Sequence, residues 1–151
     1  MTHRIDYSKA APEGYKAFGG VYATLQRSSL PKALIDLVYL RVSQINGCAY
    51  CIDMHSRDLL KTGLAVEKLV LVPVWRDAIE VFSSRERAAL AWAETVTRVA
   101  ETGAPDSEYQ AAADEFSDNE LAVLTYAIGL MNAFNRFGIA FRSTPAAAAA
   151  A

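Results

Sequence analysis

Apolar residues recur every three or four positions along this chain, with polar residues between them, and that period is the mark of amphipathic helices. Tyr15, Phe18, Tyr22 and Leu25 set it first and predict a helix over residues 13–27, with Pro12 suited to its first turn. Residues 1–8 read as an extended arm. Ser28-Ser29-Leu30-Pro31 resets the chain. Leu34, Ile35, Val38, Val42 and Ile45 then share one face of a second helix, residues 32–46, and Leu37 and Leu40 widen the stripe until most of the helix is buried. Asn46-Gly47 is a stop, because these residues best tolerate the left-handed backbone that ends helices. A third helix follows from Ala49 to about Thr62, closed by Gly63.

The second half keeps the period less strictly. Residues 67–72 fit a short helix that Pro73 interrupts, and Trp75-Arg76-Asp77 begins another turn. Ser83 stands three residues before Glu86, and Ser117 three before Glu120; both pairs are capping boxes. The first opens a helix to about Glu101, and the second opens a last helix ending near Phe141 that is apolar over most of its circumference. Between them Asp106 or Ser107 caps a helix reaching Phe116. No stretch alternates as a strand would. The pattern predicts one all-α domain of six to eight helices over residues 1–145, followed by a patternless alanine tail, 146–151.

Composition narrows the class. A chain of 151 residues, 52% hydrophobic and 21% charged, is globular, with an apolar share that points to a homo-oligomer, as does the apolar last helix. A net charge of -2 gives no electrostatic reason to expect nucleic acid or an anionic membrane as partner. No apolar run reaches the roughly 18 residues of a membrane span, and Met-Thr-His-Arg-Ile-Asp-Tyr holds no signal-peptide core. The expectation is a cytoplasmic location. Thiols there stay reduced, so a cysteine pair reads as catalytic, redox-active or metal-binding.

That pair lies in Gln44-Ile-Asn-Gly-Cys-Ala-Tyr-Cys-Ile-Asp-Met-His55, which holds both cysteines and one of two histidines. On a helix, positions 48, 51 and 55 fall on one face. Cys48 begins the helix, where free N–H groups stabilise a thiolate. His55 is one turn beyond Cys51 and close enough to exchange a proton with it. If the second and third helices form an antiparallel hairpin, Asp36 lies about 15 Å from the turn and His55 about 12 Å, nearly level. Asp36 is the lone carboxylate of its apolar helix and needs a partner there. The inferred contacts run from Asp36 to His55 to Cys51 to Cys48. A purely structural disulfide over so short a loop would contribute only about 2 kcal/mol. Zinc held by two thiolates, an imidazole and a carboxylate is the other alternative, although structural zinc usually draws its ligands from two loops. Redox chemistry is favoured over both. Tyr50 reads as a packing residue; Asn132, Asn135 and Arg136, polar positions in an apolar helix, approach the site or a subunit seam, with the seam or a helix cap favoured.

The run Leu40–Asp58, with Asp36 twelve residues before Cys48, resembles the core of the alkylhydroperoxidase D-like (AhpD-like) proteins of the carboxymuconolactone decarboxylase superfamily. Softer matches extend through Pro73–Arg76 and Ser84–Thr97 to Asn132–Arg136. The resemblance implies an all-helical homo-oligomer, a trimer or hexamer, that reduces hydroperoxides without a metal or organic cofactor. It implies Cys51 as the peroxidatic thiolate, Cys48 as the thiol that resolves the sulfenic acid, and His55 with Asp36 as the proton relay. A lipoyl or thioredoxin-like protein is the implied electron donor. Two positions depart from the family pattern. Asp36 stands where a glutamate is usual, one methylene shorter, which implies contact with His55 through water. Tyr50 stands where a second histidine is usual. The name-giving lactone decarboxylases lack the paired cysteines, which argues against that activity.

Overall fold

Helix α3 (Lys32–Asn46) is apolar on nearly every side, and the fold is built around it. The computed structural model describes residues 3–149 and contains nine α-helices and no strand among them. Before α3 come α1 (Tyr7–Ala10) and α2 (Pro12–Leu25); after it, α4 (Ala49–Lys61), α5 (Val66–Leu71), α6 (Ser84–Thr97), α7 (Val99–Thr102), α8 (Asp106–Ala113) and α9 (Asp118–Ala140). Two of the nine, α1 and α7, are four-residue turns. α3 packs against α4, α6 and α9. One of its faces joins Leu124, Ile128 and Met131 of α9 with Ala89 and Ala93 of α6. The other, Leu37 and Leu40, meets Leu59, Val72, Trp75, Phe82 and Leu90.

The α3–α4 hairpin turns where the sequence says it should. Gly47 is left-handed at φ 71°, its N–H donates to the Gln44 carbonyl at 3.3 Å, and the Cys48 N–H donates to the Ser43 carbonyl at 3.0 Å. This Schellman arrangement satisfies the last carbonyls of α3 and fixes the backbone of Cys48, which at once serves as N-cap of α4. Both expected capping boxes form, at Ser83 with Glu86 and at Ser117 with Glu120.

Four local expectations change. Residues 7 and 8 are helical rather than extended, because the Asp6 carboxylate accepts from the N–H groups of Ser8 and Lys9 and nucleates α1. The arm is pinned as well: the Arg4 N–H donates to the Phe141 carbonyl at 3.1 Å, and the Tyr7 ring lies 5.3 Å from that of Phe137. The helix expected to reach Glu101 breaks at Arg98, where the Thr102 hydroxyl takes the Thr95 carbonyl at 2.8 Å and left-handed Gly103 follows. α8 is capped by Pro105, with neither Asp106 nor Ser107 bonding its N-terminus, and it ends at Ala113. In the alanine tail, Ala146–Ala149 form a 3-10 turn and the Ala147 N–H donates to Asp53 at 3.3 Å. Residues 150 and 151 of that tail lie outside the described residues. No helix among those described is long and apolar enough to cross a membrane.

Candidate active site

The hairpin delivers Cys48 at the N-cap of α4, Cys51 in its first turn and His55 one turn on. All three are buried, at 1%, 3% and 2% exposure, and both cysteines are free thiols. Cys51 and His55 line a cavity of about 500 Å³, walled by Tyr7, Tyr15 and Tyr22 from the N-terminal helices, Tyr50 and Met54 of α4, and Met131 and Phe134 of α9. Cys48 is not among the residues that line that space.

The two thiols interact, and the fold decides which gives up its proton first. Cys48 is lowered from 9.0 to about 7: the Cys51 thiol donates to it, and the N–H groups of Cys51 and Tyr50 and the Asn135 amide add to that against the cost of burial. Those N–H groups are the free donors of a helix start. Cys51 moves the opposite way, because the neighbouring Cys48 thiolate holds its proton and burial disfavours its charge. The pair therefore loses its first proton from Cys48, around neutral pH, while Cys51 keeps its own.

A polar network from α3 and α9 supports the sulfurs. Buried Asn135 donates to the Ser43 hydroxyl at 3.0 Å and accepts from the Asn46 amide at 2.9 Å; Asn46 also donates to Asn132 at 3.0 Å. Ser43 donates in turn to the Tyr39 carbonyl at 2.7 Å. Asn135 thus belongs to the site rather than to a seam. The signal was present in the sequence as polar residues on the apolar face of a helix, where a buried amide must find partners. Gly138, one turn further along α9, carried no signal; a Cβ there would stand 3.0 Å from the Cys48 sulfur and 3.7 Å from that of Cys51.

The far end of the expected relay is arranged differently. Asp36 is buried at 1% exposure, but its Oδ2 pairs with Lys32 one turn earlier on α3, not with His55. Burial pushes the Asp36 carboxyl up while Lys32 pulls it down. Lys32 reaches Asp36 because the two are four residues apart on one helix, and the short aspartate side chain leaves His55 without it. Neither ring nitrogen of His55 has a partner within the protein. Burial lowers His55 to about 4, against the attraction of Asp58, so the ring is neutral at pH 7 and open to accept a proton. Tyr39, on the Asp36 helix, packs its ring 5.1 Å from the His55 ring. No three His, Cys, Asp or Glu side chains converge on a metal position among the described residues, so the zinc alternative has no donor set.

The sequence model of the carboxymuconolactone decarboxylase family matches residues 12–95, more than half of the chain and all of the Cys–Cys–His stretch. The chain belongs to that family. Uncharacterised protein YdfG of Bacillus subtilis (strain 168) is 32% identical over 140 residues, 93% of this chain and 95% of its own. Among solved structures, ATU0492 of Agrobacterium tumefaciens, of unknown function with a suggested AhpD-type antioxidant role, superposes with a TM-score of 0.92 at 42% identity, covering 95% of this chain and 98% of that one. Two more distant structures share the fold alone. The AhpD core of a peroxidase-related protein from Ralstonia eutropha JMP134 gives 0.79 at 19% identity, over 91% and 73% of the two chains. The debrominase Bmp8 gives 0.77 at 22%, over 93% and 75%. Within this carboxymuconolactone decarboxylase fold the present chain is AhpD-like, with its dithiol at the start of α4.

Proposed function

We propose that this family member is a thiol-dependent peroxidase of the alkylhydroperoxidase type, cycling Cys48 and Cys51 between dithiol and disulfide. The observation that carries the reading is geometric: two free, buried thiols at the start of α4, one of which, Cys51, lies on a cavity wall beside a histidine that has no partner of its own. Access makes Cys51 the attacking sulfur. His55 takes the Cys51 proton as the thiolate attacks the terminal oxygen of a hydroperoxide. The O–O bond breaks, Cys51 becomes a sulfenic acid, and the leaving alkoxide receives the proton from His55 as an alcohol. Cys48, already a thiolate, attacks the Cys51 sulfur; the S–O bond breaks, the disulfide forms, and hydroxide leaves to take a solvent proton as water. A dithiol donor, of lipoyl or thioredoxin-like class, then supplies two electrons and two protons to restore the pair. The cytoplasm, where such donors are kept reduced, is the compartment this cycle suits, and the working form is a homo-oligomer, a trimer or hexamer.

The test is intact-protein mass spectrometry after one equivalent of an organic hydroperoxide. The expected product is two mass units lighter, with a Cys48–Cys51 disulfide. Cys48→Ser should stop at the sulfenic acid, and Cys51→Ser should consume hydroperoxide at least about 100-fold more slowly. A Cys51→Ser variant that keeps the wild-type rate would overturn the assignment of the nucleophile.

A further inference from the structure

Asp36 and His55 do not meet, and Tyr39 is placed to join them. Its ring lies between α2 and α4, stacked on Tyr22 with centroids 6.3 Å apart and tilted against His55 at 5.1 Å. The side chain is wholly buried, yet its hydroxyl has no hydrogen-bond partner, and neither have Nδ1 and Nε2 of His55 beside it. Buried polar atoms are nearly always paired, and here three from two touching side chains are not. Asp36 is one turn back on the same face of α3, and its charge acts on the Tyr39 hydroxyl, which burial, Tyr22 and Asp36 together hold in the phenol form. Lys32 takes up Oδ2 of Asp36, leaving Oδ1 for a second donor.

We propose that Tyr39 is a positioning residue that links Asp36 to His55 through water, its hydroxyl donating toward the carboxylate and accepting from the side of one imidazole N–H. The link fixes the neutral tautomer of His55, so that the nitrogen facing Cys51 stays free to take a proton. The charged and titratable groups around the ring are Asp58 and Cys51 on its own helix, Lys32, Asp36 and Tyr39 on α3, and Tyr22 on α2; α9 presents Met131 and Phe134, which do not titrate. Of the uncharged groups among these, Tyr39 is the one in ring contact with His55 and on the Asp36 helix. Its part in catalysis rests on the peroxidase reading; its effect on the His55 tautomer does not.

Tyr39→Phe removes the hydroxyl and keeps the ring between Tyr22 and His55. Imidazole nitrogen NMR at neutral pH, with His3→Gln to leave a single histidine, should show one tautomer in the parent and a mixture in Tyr39→Phe. Asp36→Asn should give the same mixture, and the double variant no further change, because both act through one link. Tyr39→Phe should melt somewhat below the parent temperature, since it leaves the buried partners of the hydroxyl unpaired, and form the disulfide roughly tenfold more slowly. An unaltered tautomer in Tyr39→Phe, or additive effects in the double variant, would sink the link. A parent that forms no disulfide with hydroperoxide would refute the peroxidase reading while the NMR comparison still decides the role of Tyr39.

Discussion

At the scale of single residues, the proton held by Cys51 sets what the site can do. A thiol of ordinary pKa 9.0 is almost wholly protonated at pH 7, whereas Cys48 is lowered to about 7 by donors that the α3–α4 turn brings to it. Because the two thiols interact, the first proton lost belongs to the pair. Ultraviolet thiolate absorbance should therefore rise by one thiolate through about pH 7 and stay level as the pH approaches 9, since loss of the second proton is held off at Cys51. Cys51→Ala removes the largest of the stabilising donors and should move the step toward 9; Asn135→Ala removes a smaller one and should move it less. A parent step near 9, or a step that neither variant moves, would show that the turn does not stabilise the thiolate. The sign carries over to folding: a thiol whose folded value lies below its unfolded one contributes stability that is complete above about pH 9 and is lost as the pH falls through 7.

At the scale of elements, α9 meets the sulfurs through Gly138, a position whose helix would otherwise be better served by alanine. Gly-to-Ala in an exposed helix interior gains about 1 kcal/mol, and Gly129, with nothing within 4 Å of an added Cβ, should show that gain with an unchanged rate of disulfide formation. At Gly138 the added methyl meets the Cys48 sulfur at 3.0 Å, so the sulfur must give way by a few tenths of an ångström. Thermal denaturation should show most of the 1 kcal/mol cancelled, and stopped-flow oxidation should slow by about tenfold, since displacements near 1 Å can cost roughly 100-fold. Equal rates in the two alanine variants would mean that the close approach of α9 has no chemical consequence. This contact illustrates what the sequence could not say. Gly47, Ser83 and Ser117 were legible because turn and cap chemistry is local, and the Cys48–Cys51–His55 spacing was legible because helices repeat every 3.6 residues. The break at Arg98, the nearness of Gly138 and Asn135 to the sulfurs, and the choice of Lys32 over His55 by Asp36 depend on how α7, α9 and α3 sit against their neighbours. Lys32 and Asp36 are spaced as an i,i+4 pair, so that choice had a trace in the sequence, but helix depth alone placed Asp36 level with His55.

For the whole molecule, self-association needs a surface other than the apolar face of α9. The last helix looked available as a seam, yet Leu121, Leu124, Ala127, Ile128, Leu130 and Met131 of α9 are all spent within the fold. Of the apolar side chains that remain exposed, a group surrounds the site. Tyr15 and Tyr22 of α2 and Tyr50 and Met54 of α4 are solvent-exposed large side chains, and all four edge the cavity that holds Cys51. Val21 and Leu60, on the same two helices, are also exposed. Monomeric proteins seldom expose contiguous apolar patches beyond a few hundred Å², and such patches mark interaction surfaces. A second copy seated there would bury these side chains and narrow the route to the thiols, so assembly and reactivity should change together. Multi-angle light scattering at micromolar concentration should give a mass at a multiple of the 16.4 kDa chain. Tyr22→Glu, which places a charge on this face without touching the sulfurs, should shift the mass toward one chain and make Cys51 alkylate faster. A 16.4 kDa species for the parent protein would contradict self-association. An unchanged oligomer in Tyr22→Glu would move the interface away from the cavity mouth.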